Sequence, residues 1–311
     1  RRGYSLTAAR KIPIVGGMLL SMSIIGCNYV QADALVVGLM ALAFFGKGIG
    51  ALGWAVVSDT SPKQSGGLSG GLFNTFGNTA DRLVSYGVKQ GLRRFLIVHE
   101  NDVAGQVGGA AIEGAIARNR GTMVGKTGHG LSRAEMDAIA PTIARAAAQN
   151  QAQALFLTGN HAEALPEITA ALASAGVSSR SIQLMGLTRW DIPASRMSLP
   201  QLQNGWFAVP DLGRMAEFNA RYRAAYGEAP HDFATLAYDG VSAIAANVRA
   251  GRANAVTTAG LTRGAGFAGI QGPFRLRPDG SNQRQLSVAT LQGGKLVVID
   301  PARRSFGGFG L

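Results

Sequence analysis

Two kinds of hydrophobic pattern share this chain, and one gives way to the other near residue 80. Before that point the apolar positions run almost unbroken. Ile12–Asn28 gives 17 mostly apolar residues without a charge, and Ala34–Val57 gives 24 interrupted only by Lys47. At the α-helical rise these stretches are about 25 and 36 Å long, which brackets the roughly 30 Å of a bilayer's hydrocarbon. The longer one lacks the polar stripe of a helix with one wet face. The pattern predicts two transmembrane α-helices, about 12–28 and 34–57, followed by a polar loop, Ser58–Ser65. The glycine-rich Gly66–Thr79 reads as too broken and too short for a third span.

Past residue 80, short apolar runs alternate with amphipathic stretches. Strands are predicted at Arg94–His99, Thr122–Lys126, Ala154–Thr158 and Ile182–Gly186. Helices are predicted between and after them at Ala104–Arg118, Ala134–Gln149 and Ala162–Ala175. Ser132 with Glu135 makes a capping box for the second of these. Such alternation with short links implies a parallel α/β sheet covered on both faces. After Pro210 the pattern turns helical, at Glu217–Tyr226, Phe233–Arg249 and Ala255–Thr262. Strands then return at Pro273–Arg277, Gln285–Gln292 and Lys295–Asp300, separated by Pro-Asp-Gly and Gly-Gly turns. This late change suggests a chain crossing between two lobes.

Charge sharpens the division. Of 30 basic and 18 acidic residues, residues 1–80 hold only six basic (Arg1, Arg2, Arg10, Lys11, Lys47, Lys63) and two acidic (Asp33, Asp59), which leaves 24 and 16 for 81–311. Basic residues flank the two apolar runs and are absent from the link Tyr29–Asp33. The positive-inside rule therefore puts both flanks in the cytoplasm, and with them residues 81–311. The net charge of +12 does not signal nucleic acid, because arginine is spread singly, with no long basic run and no nucleic-acid motif. A lone cysteine, Cys27, allows no intrachain disulfide. With Arg at its start and no signal-peptide cleavage pattern, the sequence reads as a piece of something longer.

Two motif matches fail on context. Gly48, Gly50 and Gly53 spell the dinucleotide fingerprint, but inside an apolar run and with Asp59 only 11 residues after Gly48. Gly67-Leu68-Ser69-Gly70-Gly71 spells a nucleophile elbow but follows a polar loop rather than a strand. No nucleophile, base and metal cluster assembles, and His99 and His161 lack zinc-ligand spacing. An enzyme is not expected, nor any cofactor. Gly46 and Gly50 do form the small-residue spacing that lets two helices approach closely. Lys47 lies about ten residues from the inner end of its predicted helix. It either faces a bundle interior or snorkels to the interface.

The run AFFGKGIGALGWAVVSDTSP (43–62) followed by GLSGGLFNTFGN (67–78) resembles the major facilitator superfamily, within it the anion:cation symporters of hexuronates and sugar acids. The similarity covers residues 1 to about 78 and corresponds to the ninth and tenth helices and the start of the eleventh. It implies that Trp54 and Asn74, with Lys47, belong to a sugar-acid site. An interfacial anchor and a helix cap are the other readings of Trp54 and Asn74. The remaining helices of such a transporter have no counterpart here, so the fragment cannot complete a midplane site.

FNARYRAAYGEAPHDFATLAYDGVSAIAANV (218–248), GPFRLRPDGSNQRQLSVATLQGGKLVVID (272–300) and the closing IDPARRSFGG (299–308) are similar to the type I periplasmic-binding-protein fold. They resemble the branched-chain amino-acid receptors and their relatives, the penicillin-binding-protein activators. The resemblance implies an incomplete two-lobed fold, with the second lobe at about 93–210 plus 285–300 and a remnant of the first at about 211–276. Upstream βα units of the first lobe are missing, so helices within 217–262 are expected to expose apolar faces. Ala104 stands where the amino-acid receptors carry an aromatic residue, and Leu187, Thr188 and Arg189 stand where they carry an acid for the ligand amine. A free amino acid is therefore disfavoured.

Open α/β sheets bind ligands at the strand carboxyl ends. Here those ends carry Glu100, Asn101, Asp102, Asn160, His161, Thr188, Arg189 and Trp190. Asn101, Asn160, His161 and Arg189 are the candidate cleft-lining residues, and the alternative is that they only finish strands. Tyr238 and Asp239 read as packing and capping. The expected partners are a small-molecule solute or a cell-wall synthase, with the inner membrane held through 12–57 and no nucleic acid. The expected function is non-enzymatic binding or activation fused to a transporter remnant, with sugar-acid transport as the alternative.

Overall fold

The computed structural model of the chain describes residues 16–17, 19–30, 32–50, 66–161, 163–231, 234–252 and 254–306. It divides into two compact units, Arg1–Leu72 and Phe73–Leu311.

In the first unit a 3-10 helix, Met22–Tyr29, is followed by the helix α1, Asp33–Gly50. The two segments touch closely. Ser23 Oγ donates to the Leu39 carbonyl at 3.3 Å, and a Cβ at Gly46 would sit 2.7 Å from the Gly17 carbonyl oxygen. The two transmembrane helices expected here are not found among the described residues. Residues 12–15 and 18 of the first expected span lie outside the described residues; 16–17 and 19–21 are helical, and beyond Ser21 the run tightens into 3-10 geometry, Ser23 and Gly26 being weak helix formers. At 18 residues α1 is about 27 Å long. No helix among the described residues is long and apolar enough to cross a membrane. Residues 51–57 of the second expected span lie outside the described residues. The unit is nonetheless apolar outside as well as in, with Leu19, Ile25, Val37, Phe44 and Phe45 each about half exposed or more.

The helix α2, Gly66–Lys89, covers the glycine-rich segment Gly66–Thr79, and as expected it is not apolar enough to be a third span. From Phe76 onward it buries Phe76, Ala80, Leu83 and Val84. This apolar face at helical spacing anchors it to the sheet and compensates for the weak propensity of its glycines.

The sheet itself follows the alternation. β1 (Arg94–Glu100), α3 (Val103–Arg118), β2 (Thr122–His129), α4 (Arg133–Gln149), β3 (Ala154–Leu157), α5 (Ala164–Ser174) and β4 (Gln183–Gly186) succeed one another. β5 (Trp206–Val209), β8 (Ser287–Gln292) and β9 (Lys295–Asp300) complete seven strands in the order β2-β1-β3-β4-β5-β8-β9. The first five are mutually parallel, and β8 and β9 add antiparallel. Alternate residues of β1 serve opposite layers, as a two-residue period requires. Phe95 and Ile97 pack with α2 and α3, while Leu96 and Val98 pack with α4 and α5. Each such fully buried side chain is worth about 1.5–3 kcal/mol.

Between β5 and β8 the chain leaves this sheet. It forms α6 (Leu212–Tyr226), α7 (Ala234–Arg249), the one-turn α8 (Thr258–Leu261) and a two-stranded ribbon, β6 (Phe274–Leu276) with β7 (Asn282–Arg284). Its own core is small: Ala243, Phe267 and Phe274. On α7, Leu236, Val241, Ile244 and Val248 face outward, with Val241 69% exposed. The strand expected at 285–292 is found as Ser287–Gln292 and joins the large sheet, while Asn282–Arg284 just before it forms a further strand that pairs locally.

Candidate functional site

The carboxyl ends of β1, β3 and β4 carry a connected polar cluster. Its centre is Glu100, the last residue of β1, whose side chain is fully buried. A buried carboxylate needs donors, and three come from the loop after β3. Thr158 Oγ1 donates at 3.1 Å, and the Asn160 and His161 backbone amides at 3.0 Å each. Glu100 thereby fixes residues 158–161 against β1. Gly105, in the first turn of α3, lies so close to Glu100 that a Cβ would meet its carbonyl oxygen at 2.2 Å. Only glycine fits that approach.

Asp102 caps α3. Its Oδ1 accepts from the Gly105 amide at 2.6 Å, and its Oδ2 lies 2.7 Å from His161 Nε2. Burial pushes the Asp102 carboxyl up, but the hydrogen bonds from Gly105 and His161 outweigh it and hold the group below the usual carboxylate range. The hydrogen bond to Asp102, opposed by desolvation and helped by Glu100, raises the His161 imidazole above its ordinary value. His161 also lines a small cleft of about 340 Å³ with Leu131, Glu163 and Ala164.

Of the four residues predicted to line a cleft, the structure brings Asn160 and His161 together around Glu100. Both polar atoms of the Asn160 side chain are buried, and neither has a hydrogen-bond partner among the described residues. Asn101 is exposed at the end of β1, where its amide donates to the His129 carbonyl at 2.9 Å. Arg189 is turned onto Asp191, Nε to Oδ1 at 2.9 Å with a second short contact from Nη2 to Oδ2. Thr188 Oγ1 donates to the Gly159 carbonyl at 2.8 Å, and Trp190 is fully buried against Phe207, so it belongs to the core. The pairings of Asp102 with His161 and of Arg189 with Asp191 escaped sequence reasoning. The first joins residues 59 apart, and only the sheet puts them together. Lys47 and Asn74 lie on helical backbone with their side chains outside the described residues, and Trp54 lies outside them altogether. Among the described residues no group of three or more metal-ligating side chains is assembled.

A family model described as "Periplasmic binding protein" matches residues 32–295. Solved structures agree on fold. A branched chain amino acid ABC transporter periplasmic ligand-binding protein from Burkholderia xenovorans is 17% identical with a TM-score of 0.54, over 76% of this chain and 63% of that one. An ABC transporter substrate-binding protein from Desulfitobacterium hafniense, in complex with Leu, is 18% identical with a TM-score of 0.51, over 72% and 65%. Full-length LpoA from Haemophilus influenzae is 13% identical with a TM-score of 0.51, over 73% and 39%. Curated proteins match over about a quarter of the chain. "Probable galactarate/D-glucarate transporter GudP" is 80% identical over 78 residues in Pseudomonas putida and 71% over 80 residues in Bacillus subtilis. This chain spans only 17% and 18% of the length of those two relatives.

Proposed function

Because the chain belongs to the periplasmic binding protein family, its match covering residues 32–295, we propose that Phe73–Leu311 works as a non-enzymatic solute-binding module. Its ligand seat is the carboxyl edge of β1, β3 and β4. One observation carries this reading: the Asn160 side-chain amide is buried there with neither its donor nor its acceptor used among the described residues. An unmade buried hydrogen bond costs about 1–3 kcal/mol, and a bound polar group would remove that cost. Asn160 takes a hydroxyl or carboxyl group, His161, held by Asp102, lies beside it, and Asn101 and Arg189 border the opening. The one carboxylate just beyond β4, that of Asp191, is occupied by Arg189, and Ala104 offers no stacking face. A small hydroxy or carboxylic acid therefore suits the seat better than a free amino acid.

The thermal stability of the full chain, measured against a panel of small organic acids, sugar acids and amino acids, tests this. A ligand at 100 times its Kd stabilises by about 2.7 kcal/mol. We expect at least one acid to raise the unfolding temperature and to lose that effect in Asn160→Leu. A panel without response argues for a partner surface, such as a cell-wall synthase in the activator manner, instead of solute capture.

A second reading, sugar-acid transport, is favoured by the 80% identity over 78 residues and by the apolar surface of the first unit. Lys47, Trp54 and Asn74 would be its substrate contacts. With about a sixth of a transporter's length matched, we expect no galactarate or glucarate uptake by proteoliposomes carrying the chain. Uptake abolished by Asn74→Ala would establish the transport reading.

A further inference from the structure

Six cations distant in sequence, Arg82, Lys89, Arg118, Arg277, Arg284 and Arg303, converge on one polar cleft of about 460 Å³. It shares no residue with the cleft beside His161. Its volume falls in the range of small-molecule sites, roughly 300–1,000 Å³.

Three of the cations are already neutralised. Arg82 Nη2 pairs with Asp300 Oδ2 at 2.8 Å, Arg284 Nη1 with Asp239 Oδ2 at 2.7 Å, and Arg118 Nη2 with Asp81 Oδ1 at 3.0 Å. Arg82 and Arg284 are also the most buried of the six and are held by backbone carbonyls, so they form a fixed floor. Lys89, Arg277 and Arg303 at the rim have no carboxylate partner among the described residues. Asp279 is near Arg277, but its carboxylate is engaged by the Ser281 amide and hydroxyl at 2.9 and 2.7 Å. Arg277 instead reaches Gln283 Oε1 at 3.2 Å.

Structural roles account for part of this set only. Lys89 and Arg118 close the last turns of α2 and α3, where a cation offsets the helix dipole. Arg277 and Arg303 end no helix and form no salt bridge among the described residues, Asp279 acting on Arg277 only through its charge, yet they line the same cleft. Like charges on a shared rim repel one another, and an anion between them makes a favourable interaction with each. Guanidinium forks match phosphate and carboxylate oxygens bidentately. We propose that this cleft binds a compact, multiply charged anion through phosphate or carboxylate oxygens, taken up by Arg277, Arg303 and Lys89 above the fixed floor.

Calorimetric titration of the full chain at low salt with inorganic triphosphate and, separately, with citrate tests the proposal. We expect saturable one-to-one binding of at least one probe, weakened by added sodium chloride. Substituting Arg277→Glu with Arg303→Glu should weaken it by about tenfold or more, a loss of about 1.4 kcal/mol. The control pair Arg180→Glu with Arg221→Glu, on exposed residues outside the cleft, carries the same charge change and should leave affinity unaltered. Absence of binding by both probes, or equal weakening by the two double variants, overturns the proposal.

Discussion

At the scale of single residues, the site depends on one buried carboxylate and one idle amide. Glu100 accepts from the Thr158 hydroxyl and the Asn160 and His161 backbone amides, and so sets the loop in which the Asn160 side chain has no partner among the described residues. Glu100→Ala leaves a hydroxyl and two amides without their acceptor. Urea denaturation should show a loss of about 3 kcal/mol or more. The Asp102–His161 pair predicts a pH dependence with a definite sign. Raising the His161 pKa means that its contribution is complete below the imidazole's unfolded value and lost as pH climbs through the folded one. Lowering the Asp102 pKa means that its contribution is present above the unfolded carboxylate value and lost as pH falls through the folded one. The pair is intact between those limits. Following His161 by NMR across pH should give a pKa above the ordinary 6.5, and Asp102→Asn should return it toward that value. Of these residues, Glu100, Asp102, Asn160 and His161 were all legible as strand-end polar groups. Which of them would bury, pair or stay idle was not, because each pairing spans 58 to 61 residues and exists only once β1 lies beside β3.

At the scale of elements, the sequence pattern was read most clearly where two local signals agreed. For α4 the helical period and the Ser132–Glu135 capping box coincide, and both halves of the box form. Ser132→Ala should cost about 1 kcal/mol in chemical denaturation, with the sheet unaltered by circular dichroism. β5 escaped because its four residues, Trp206–Val209, follow two 3-10 turns and give no alternation long enough to register. β7 escaped because its polar Asn-Gln-Arg carries no apolar signal and forms only by pairing with β6. The expected second span and α1 start at nearly the same residue, and the described helix ends at Gly50. Gly66–Thr79, expected not to form a third span, is helical without being apolar enough to cross a membrane. Glycine content speaks to propensity, whereas α2 is held by the tertiary burial of Phe76, Ala80, Leu83 and Val84.

At the scale of the molecule, the large sheet is closed on both faces while the region from α6 to β7 is not. Outward-facing Leu236, Val241, Ile244 and Val248 agree with the expectation that these helices expose apolar surface. Val241→Glu should change the unfolding free energy by less than about 0.5 kcal/mol, because the side chain is 69% exposed. The same substitution at Ile97, which is fully buried, should prevent folding. The basic cleft was invisible in the sequence for the converse reason. Its arginines are scattered along the chain, and a net charge of +12 gives no direction until the fold gathers them.

The central claim is that the carboxyl edge of β1, β3 and β4 is a seat for a small acid. Calorimetric titration of the full chain with the most stabilising acid of the panel, compared with Asn160→Leu, tests it most directly. The account predicts one saturable site, weakened at least about tenfold by the substitution as hydrogen bonds worth over 1.4 kcal/mol are lost. Equal affinity in the two proteins would place the ligand elsewhere and contradict it.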